Sequence, residues 1–138
     1  MEWEFSITIP ADIAAIPGVS AALETAMNVY AFTDQDILDT QLSVEEAITN
    51  TIVHGYHGSP GEIAVTCTAS HGIVEVRIED SAPPFDPLSL PDPDISANLD
   101  DRMIGGLGIH LIRRLMDDIL YRYEDGKNIL VLVKRKSE

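Results

Sequence analysis

The stretch Ser43–Tyr56, SVEEAITNTIVHGY, carries Glu46, Asn50 and His54 at four-residue spacing. On a helix, residues at i, i+4 and i+8 lie nearly above one another. The three would form a polar stripe, with Val44, Ala47, Ile48 and Ile52 elsewhere on the barrel. A carboxylate and a carboxamide stacked in this way can orient a hydroxyl and hold a hydrated hard cation. Mg²⁺ takes oxygen ligands and keeps several waters, so one Asn oxygen plus substrate phosphates would suffice. A surface helix showing polar residues to water produces the same stripe, and the stripe alone does not choose between the two.

Two further stretches bear on that choice. Asp80, in IEDSAPPFDP, closes a strand-like run and opens an irregular one, where a side chain can point into a pocket. A carboxylate there can accept from the exocyclic amine of a purine, although Asp also ends strands simply as a turn residue. Further on, IGGLGIHL (Ile104–Leu111) sets closely spaced glycines before a helical pattern. Such a turn can aim backbone N–H groups at a phosphate, helped by the helix dipole. It is no Walker A loop, since no Gly-Lys-Ser/Thr follows, and no dinucleotide fingerprint, since no strand precedes it.

The elements that must position these groups follow from periodicity. Trp3–Pro10 alternates and is rich in β-formers, so it reads as a first strand ended by its proline. Asp12 caps a helical pattern through Ala31, whose true start Pro17-Gly18 should kink or delay. Thr33-Asp34 caps a second helix that contains the opening stretch and stops at Gly55 or Gly58. Glu62–Ser70 and Ile73–Glu79 alternate around a His71-Gly72 turn, and Ile119–Glu124 and Asn128–Lys134 flank Asp125-Gly126, a strong hairpin signal. Between the hairpins lie Ser81–Asp101, with five prolines, and a helical pattern from Ile104 to Asp118. A loop of that length inside a compact domain is usually a lid or binding loop. The order β-α-α-β-β-lid-α-β-β predicts an α+β, two-layer α/β sandwich: a mixed, mostly antiparallel sheet with helices on one face.

Composition sets the outer bounds. At 138 residues and 45% hydrophobic, the chain is expected to be one domain, residues 1–138, with its lid at about 82–103. No apolar run reaches the ~20 residues of a membrane span, and MEWEFSITIP lacks the basic start of a signal peptide. The single Cys67 cannot form an internal disulfide, which points to a reducing, cytoplasmic home. The net charge is −14, with seven of the nine Lys and Arg residues in Arg113–Lys136. Such a surface repels nucleic acid and suits a basic protein partner, although solubility explains it equally.

In this order and spacing, the three stretches resemble the GHKL ATPase superfamily (gyrase, the heat-shock chaperone, histidine kinases and MutL). The closest resemblance is to its stand-alone branch, the anti-sigma-factor serine/threonine kinases. SVEEAITNTIVHGY is similar to that family's N-box, which puts Glu46 on the general base and Asn50 on the Mg²⁺-binding asparagine. Asp80 matches the adenine-recognising aspartate of the first glycine box, and GGLG the second box, with Gly106, Leu107 and Gly108 at the phosphates. Arg102 is the cation beside the acidic lid and is expected at a phosphate, or else paired with Asp100 or Asp101. Two positions depart from the pattern. Asp80-Ser81-Ala82 stands where the family has Asp-x-Gly, so Ala82 adds a methyl group where the base should pack. Asn128 stands where a threonine usually helps bind the adenine-linked water, a task its amide can share.

The resemblance implies a Bergerat-type ATP-binding fold, with ATP and Mg²⁺ as cofactors. It implies transfer of phosphate to Ser or Thr of a small anti-sigma-factor antagonist, whose release frees the protein to hold a sigma factor. It implies no direct nucleic-acid or membrane contact, and it is compatible with a homodimer through the first strand and helix. Two rivals stand beside it. One is a nucleotide-binding adaptor that sequesters a partner without phosphoryl transfer. The other is the catalytic half of a two-component histidine kinase, which would need its phospho-accepting helices on another chain.

Overall fold

The computed structural model describes residues 2–89 and 106–137. Its elements run in the expected order: β1 (Trp3–Pro10), α1 (Ile16–Val29), α2 (Asp34–Asn50), β2 (Glu62–Ala69), β3 (Ile73–Asp80), α3 (Gly106–Leu115), β4 (Asp118–Glu124) and β5 (Lys127–Arg135). The five strands form one sheet in the order β1-β2-β3-β5-β4, and all four pairings are antiparallel. The expected mostly antiparallel sheet is thus antiparallel at every described pair. Asp125 and Gly126, at φ 54° and 78°, make the two-residue turn between β4 and β5.

Local chemistry explains the helix ends. The Asp12 carboxylate accepts from the Ala14 N–H and caps a short 3₁₀ turn, Ile13–Ala15, rather than the α-helix itself. The α-helix then starts at Ile16 with Pro17 in its first turn, where the missing N–H costs nothing. It ends at Val29, two residues short of the expected Ala31, which takes the left-handed conformation (φ 56°). At α2 the Thr33 hydroxyl accepts from the Asp36 N–H, as its sequence signal requires. The α-helical ladder stops at Asn50, and Thr51–Gly55 continues as a single π turn. The 3.6 spacing that would stack His54 above Asn50 therefore ends at the asparagine. Wide turns of this kind inside helices often accompany functional sites.

The three α-helices among the described residues cover one face. α2 lies centrally, packed against α1 on one side and α3 on the other. Alternate strand residues meet them: Ile63, Val65, Cys67 and Ala69 on β2, and Val74, Val76 and Ile78 on β3, are buried. Leu23, Met27, Ile48, Ile109 and Ile112 fill the space from the helical side. Burial pushes the Cys67 thiol up to about 12, so it packs as a small hydrophobe and stays unreactive. No helix among the described residues is long and apolar enough to cross a membrane.

Candidate nucleotide site

The register of β3 and β5 places Asp80 directly opposite Asn128. Both are buried on the helix-facing side, and the Asn128 Nδ2 donates to Asp80 Oδ1 at 2.8 Å. Asp80 Oδ1 also accepts from the Ala82 N–H at 3.0 Å, closing a tight turn just past the strand. The second carboxylate oxygen, Oδ2, accepts no hydrogen bond from the described residues.

Asn50 arrives from the opposite layer, at the end of α2. It is 6% exposed, and its Nδ2 is buried without a hydrogen-bond partner among the described residues. A buried amide left unpaired costs about 1–3 kcal/mol, so its presence calls for a polar ligand. Asn50 and Asp80 line the same cavity, together with Ala47, Gly55, Ile78, Ile109 and Tyr121. Ile109 lies three residues into α3, about 4.5 Å along the helix from its start at Gly106. Gly106, Leu107 and Gly108 form the first turn of that helix and so stand beside the cavity, with the N–H groups of a helix N-terminus.

The cavity holds about 20 Å³, room for a water but not for a purine. Its outer wall is built by Phe85 and Pro87. The Phe85 ring stacks on His54, with centroids 5.8 Å apart and 19° between planes. The Phe85 N–H donates to Asn128 Oδ1, and Phe85 lines the cavity together with Ile78, Tyr121 and Leu130 of the sheet. His54 thus serves as a packing platform for Phe85.

Glu46 is half-buried, and its carboxyl has no hydrogen-bond partner among the described residues. Burial, with the neighbouring Glu45 charge second, pushes its pKa above the ordinary glutamate value. A carboxylate poised upward in this way is suited to accepting a proton. Arg102, and residues 90–103 of the expected lid, lie outside the described residues.

The two departures take different forms in three dimensions. Ala82 has no positive φ and is 2% exposed. It is not among the residues lining the cavity; its methyl group sits against Gly55 instead. Asn128 does line the cavity, yet its amide is spent on protein: Nδ2 faces Asp80 Oδ1, Ala82 O and Pro83 O, and Oδ1 accepts from Tyr121 and Phe85. Sequence reasoning missed Tyr56 and Tyr121. The second was within reach, because a hairpin turning at Asp125-Gly126 sets Tyr123 opposite Asn128 and Tyr121 on its diagonal.

The profile described as "Histidine kinase-like ATPase domain" matches residues 9–134. Relatives named "Serine-protein kinase RsbW" from Bacillus cereus (strain AH820) and Bacillus anthracis (strain A0248) are each 29% identical over 132 residues, covering 93% of this chain and 82% of theirs. A crystal structure of the RsbU and RsbW domains of a Mycobacterium tuberculosis protein superposes with a TM-score of 0.66 at 19% identity. It covers 99% of this chain, which spans 33% of that longer one, and shows the shared fold. The matched segment takes in Asn50, Asp80, the glycine turn and Asn128 together, and on that ground the chain belongs to the histidine kinase-like ATPase domain family.

Proposed function

We propose that this chain is an ATP-dependent protein kinase of the anti-sigma-factor type. In this reading it phosphorylates Ser or Thr on a small antagonist protein and holds a sigma factor once the antagonist is released. The observation that carries the reading is the convergence of Asn50 and Asp80 on one cavity beside the start of α3, each with a polar atom, Nδ2 and Oδ2, that the described residues leave unpaired. The relatives' shared name, serine-protein kinase, supports the choice of acceptor.

Each residue has a task set by its chemistry. Asp80 Oδ2 accepts from the exocyclic amine of adenine. The N–H groups of Gly106–Gly108 donate to phosphate oxygens, and Arg102 adds a cation there. Asn50 supplies an oxygen to Mg²⁺, which when bound offsets the charge of the phosphates. Glu46 accepts the proton of the incoming hydroxyl. Phe85 and Pro87, at the start of the lid at 82–103, line the cavity that the base would enter. The whole chain reads as one domain working in the cytoplasm, without nucleic acid or membrane, and as a candidate homodimer.

The test is transfer from γ-labelled ATP, with Mg²⁺, to the antagonist protein. The expected result is phosphoserine or phosphothreonine on the antagonist, abolished in Glu46→Gln while ATP still binds. ATP binding without transfer by the unaltered protein would overturn the kinase reading in favour of the adaptor. Absence of ATP binding would overturn both.

A further inference from the structure

Every backbone N–H between Ser81 and Phe85 is held by a side chain. The Ser81 N–H donates to the Tyr56 hydroxyl at 2.9 Å, and that hydroxyl in turn donates to Glu62 O at 2.7 Å. The Ala82 N–H donates to Asp80 Oδ1, Pro83 and Pro84 have none to give, and the Phe85 N–H donates to Asn128 Oδ1 at 3.0 Å. Asn128 also takes two carbonyls of this turn, Ala82 O at 3.1 Å and Pro83 O at 3.2 Å. Its amide orientation is forced, because three acceptors face Nδ2 and two donors face Oδ1. Burial raises the Tyr121 phenol, keeping it protonated and donating to Oδ1 at 2.5 Å. Tyr56 is fixed in its turn by its ring, which lies where a Cβ on Gly61 would be, 2.4 Å from Tyr56 Cε1.

We propose that Asn128 is a positioning residue and not a nucleotide ligand: with Tyr56 it splints the Asp80–Phe85 turn so that Asp80 presents Oδ2 alone to the base. An amide with both ends committed has nothing left for an adenine-linked water. Base selection then falls on one carboxylate oxygen, and its accuracy depends on how firmly Asn128 holds the other. A splint of side chains also replaces the backbone freedom that a glycine at position 82 would bring. The turn keeps its shape with an alanine there because five hydrogen bonds, not a permissive φ, define it.

The last step rests on the ATP-binding reading, whereas the splint itself does not. Asn128→Thr keeps a strand-favouring residue and a hydroxyl but cannot bridge five groups. Tyr56→Phe is the milder variant, removing one acceptor from Ser81. Amide hydrogen exchange on the nucleotide-free full chain should accelerate about tenfold or more at Ala82 and Phe85 in the first variant and at Ser81 in the second. Affinity for ATP should fall about tenfold in Asn128→Thr, with reduced preference over GTP and with kcat at saturating ATP held within about twofold. Unchanged exchange at Phe85 would overturn the splint, and an unchanged ATP-over-GTP preference would overturn its role in base selection. So would a fall in kcat at constant KM. If Asn128→Thr does not fold, Tyr56→Phe decides: unchanged exchange at Ser81 would overturn the splint, and an unchanged ATP-over-GTP preference its role in base selection. A wild-type chain that binds neither nucleotide defeats the parent reading and the role given to Asp80, while the exchange data separately decide the splint.

Discussion

A Cβ placed on Gly55 would lie 3.3 Å from the methyl carbon of Ala82. The residue that closes the π turn therefore packs against the residue that departs from the first glycine box, with little room for a side chain between them. Ala82 cannot drift away, because its N–H is tied to Asp80 and its carbonyl to Asn128. A double-mutant cycle of Gly55→Ala and Ala82→Gly should show a coupling energy of about 1 kcal/mol in urea unfolding, with the double variant relieving the crowding of the single one. Strict additivity would remove the steric link. Gly55→Ala should also weaken ATP binding, since pushing Ala82 moves the turn that carries Asp80.

As the general base of the proposed reading, Glu46 would tie pH to activity and to stability with opposite benefit. Its folded pKa is raised, by burial first and by Glu45 second. The folded state therefore holds this proton to higher pH than the unfolded chain does. The stabilisation this gives is present below the unfolded value, near 4.5, and is lost as pH rises through the folded value. At pH 7 Glu46→Gln should unfold at the same temperature or higher, while phosphate transfer falls by about 10²-fold or more. Glu45→Gln should shift the acid limb of the pH–rate profile to lower pH, because it removes the neighbouring charge. An acid limb that does not move would separate Glu46 from the titration that controls the rate.

Much of the frame was legible because it rests on local chemistry. Alternation gave β1 its bounds, Thr33 capped α2, and Asp125-Gly126 turned the last hairpin. The site was legible in types but not in contacts. Asn50 and Asp80 stand out by residue type, yet their meeting at one cavity depends on how α2 packs over β3. The π turn after Asn50 leaves no mark in a pattern read at 3.6 residues per turn. Asn128 reads as a ligand because its amide can donate and accept, and its protein contacts cannot be read from the same sequence. Its commitment to Ala82, Pro83 and Phe85 spans more than 40 positions and carries no periodic trace.

The C-terminal tail should govern acid sensitivity. Asp36, 1% exposed at the start of α2, accepts from the Ser137 N–H at 2.9 Å and the Ser137 hydroxyl at 2.6 Å. Burial by itself raises the Asp36 pKa, but the Ser137 and Thr33 hydrogen bonds and the Lys134 charge outweigh it, and the net shift is downward. The resulting stability is present above the unfolded value of 3.8 and is lost as pH falls through the lower folded value. Removing Ser137 and Glu138 should strand the Asp36 carboxylate and cost about 1–3 kcal/mol at pH 7. The loss should shrink toward pH 3. A deficit independent of pH would mean that the tail acts by packing and not through Asp36.

Phe85 and His54 make the last prediction, because the stacked pair competes with the ligand for space. The cavity of about 20 Å³ is too small for a purine, and on the reading proposed above the base enters once the Phe85 ring leaves His54. Rotation about the side-chain bond achieves this without breaking the Phe85 N–H bond to Asn128, so the splinted backbone can stay while the ring swings. If the stacked arrangement is populated about nine times in ten, observed affinity is lowered about tenfold relative to the open form. Phe85→Ala should then raise the association rate of a fluorescent ATP analogue and tighten its binding by up to about that factor. His54→Ala, which removes the platform and keeps the ring, should move both quantities in the same direction by less. The opposite sign is equally informative: weaker binding in Phe85→Ala would mean that the ring transfers its stacking from the imidazole to the adenine, and that it serves the bound state instead of guarding the empty one.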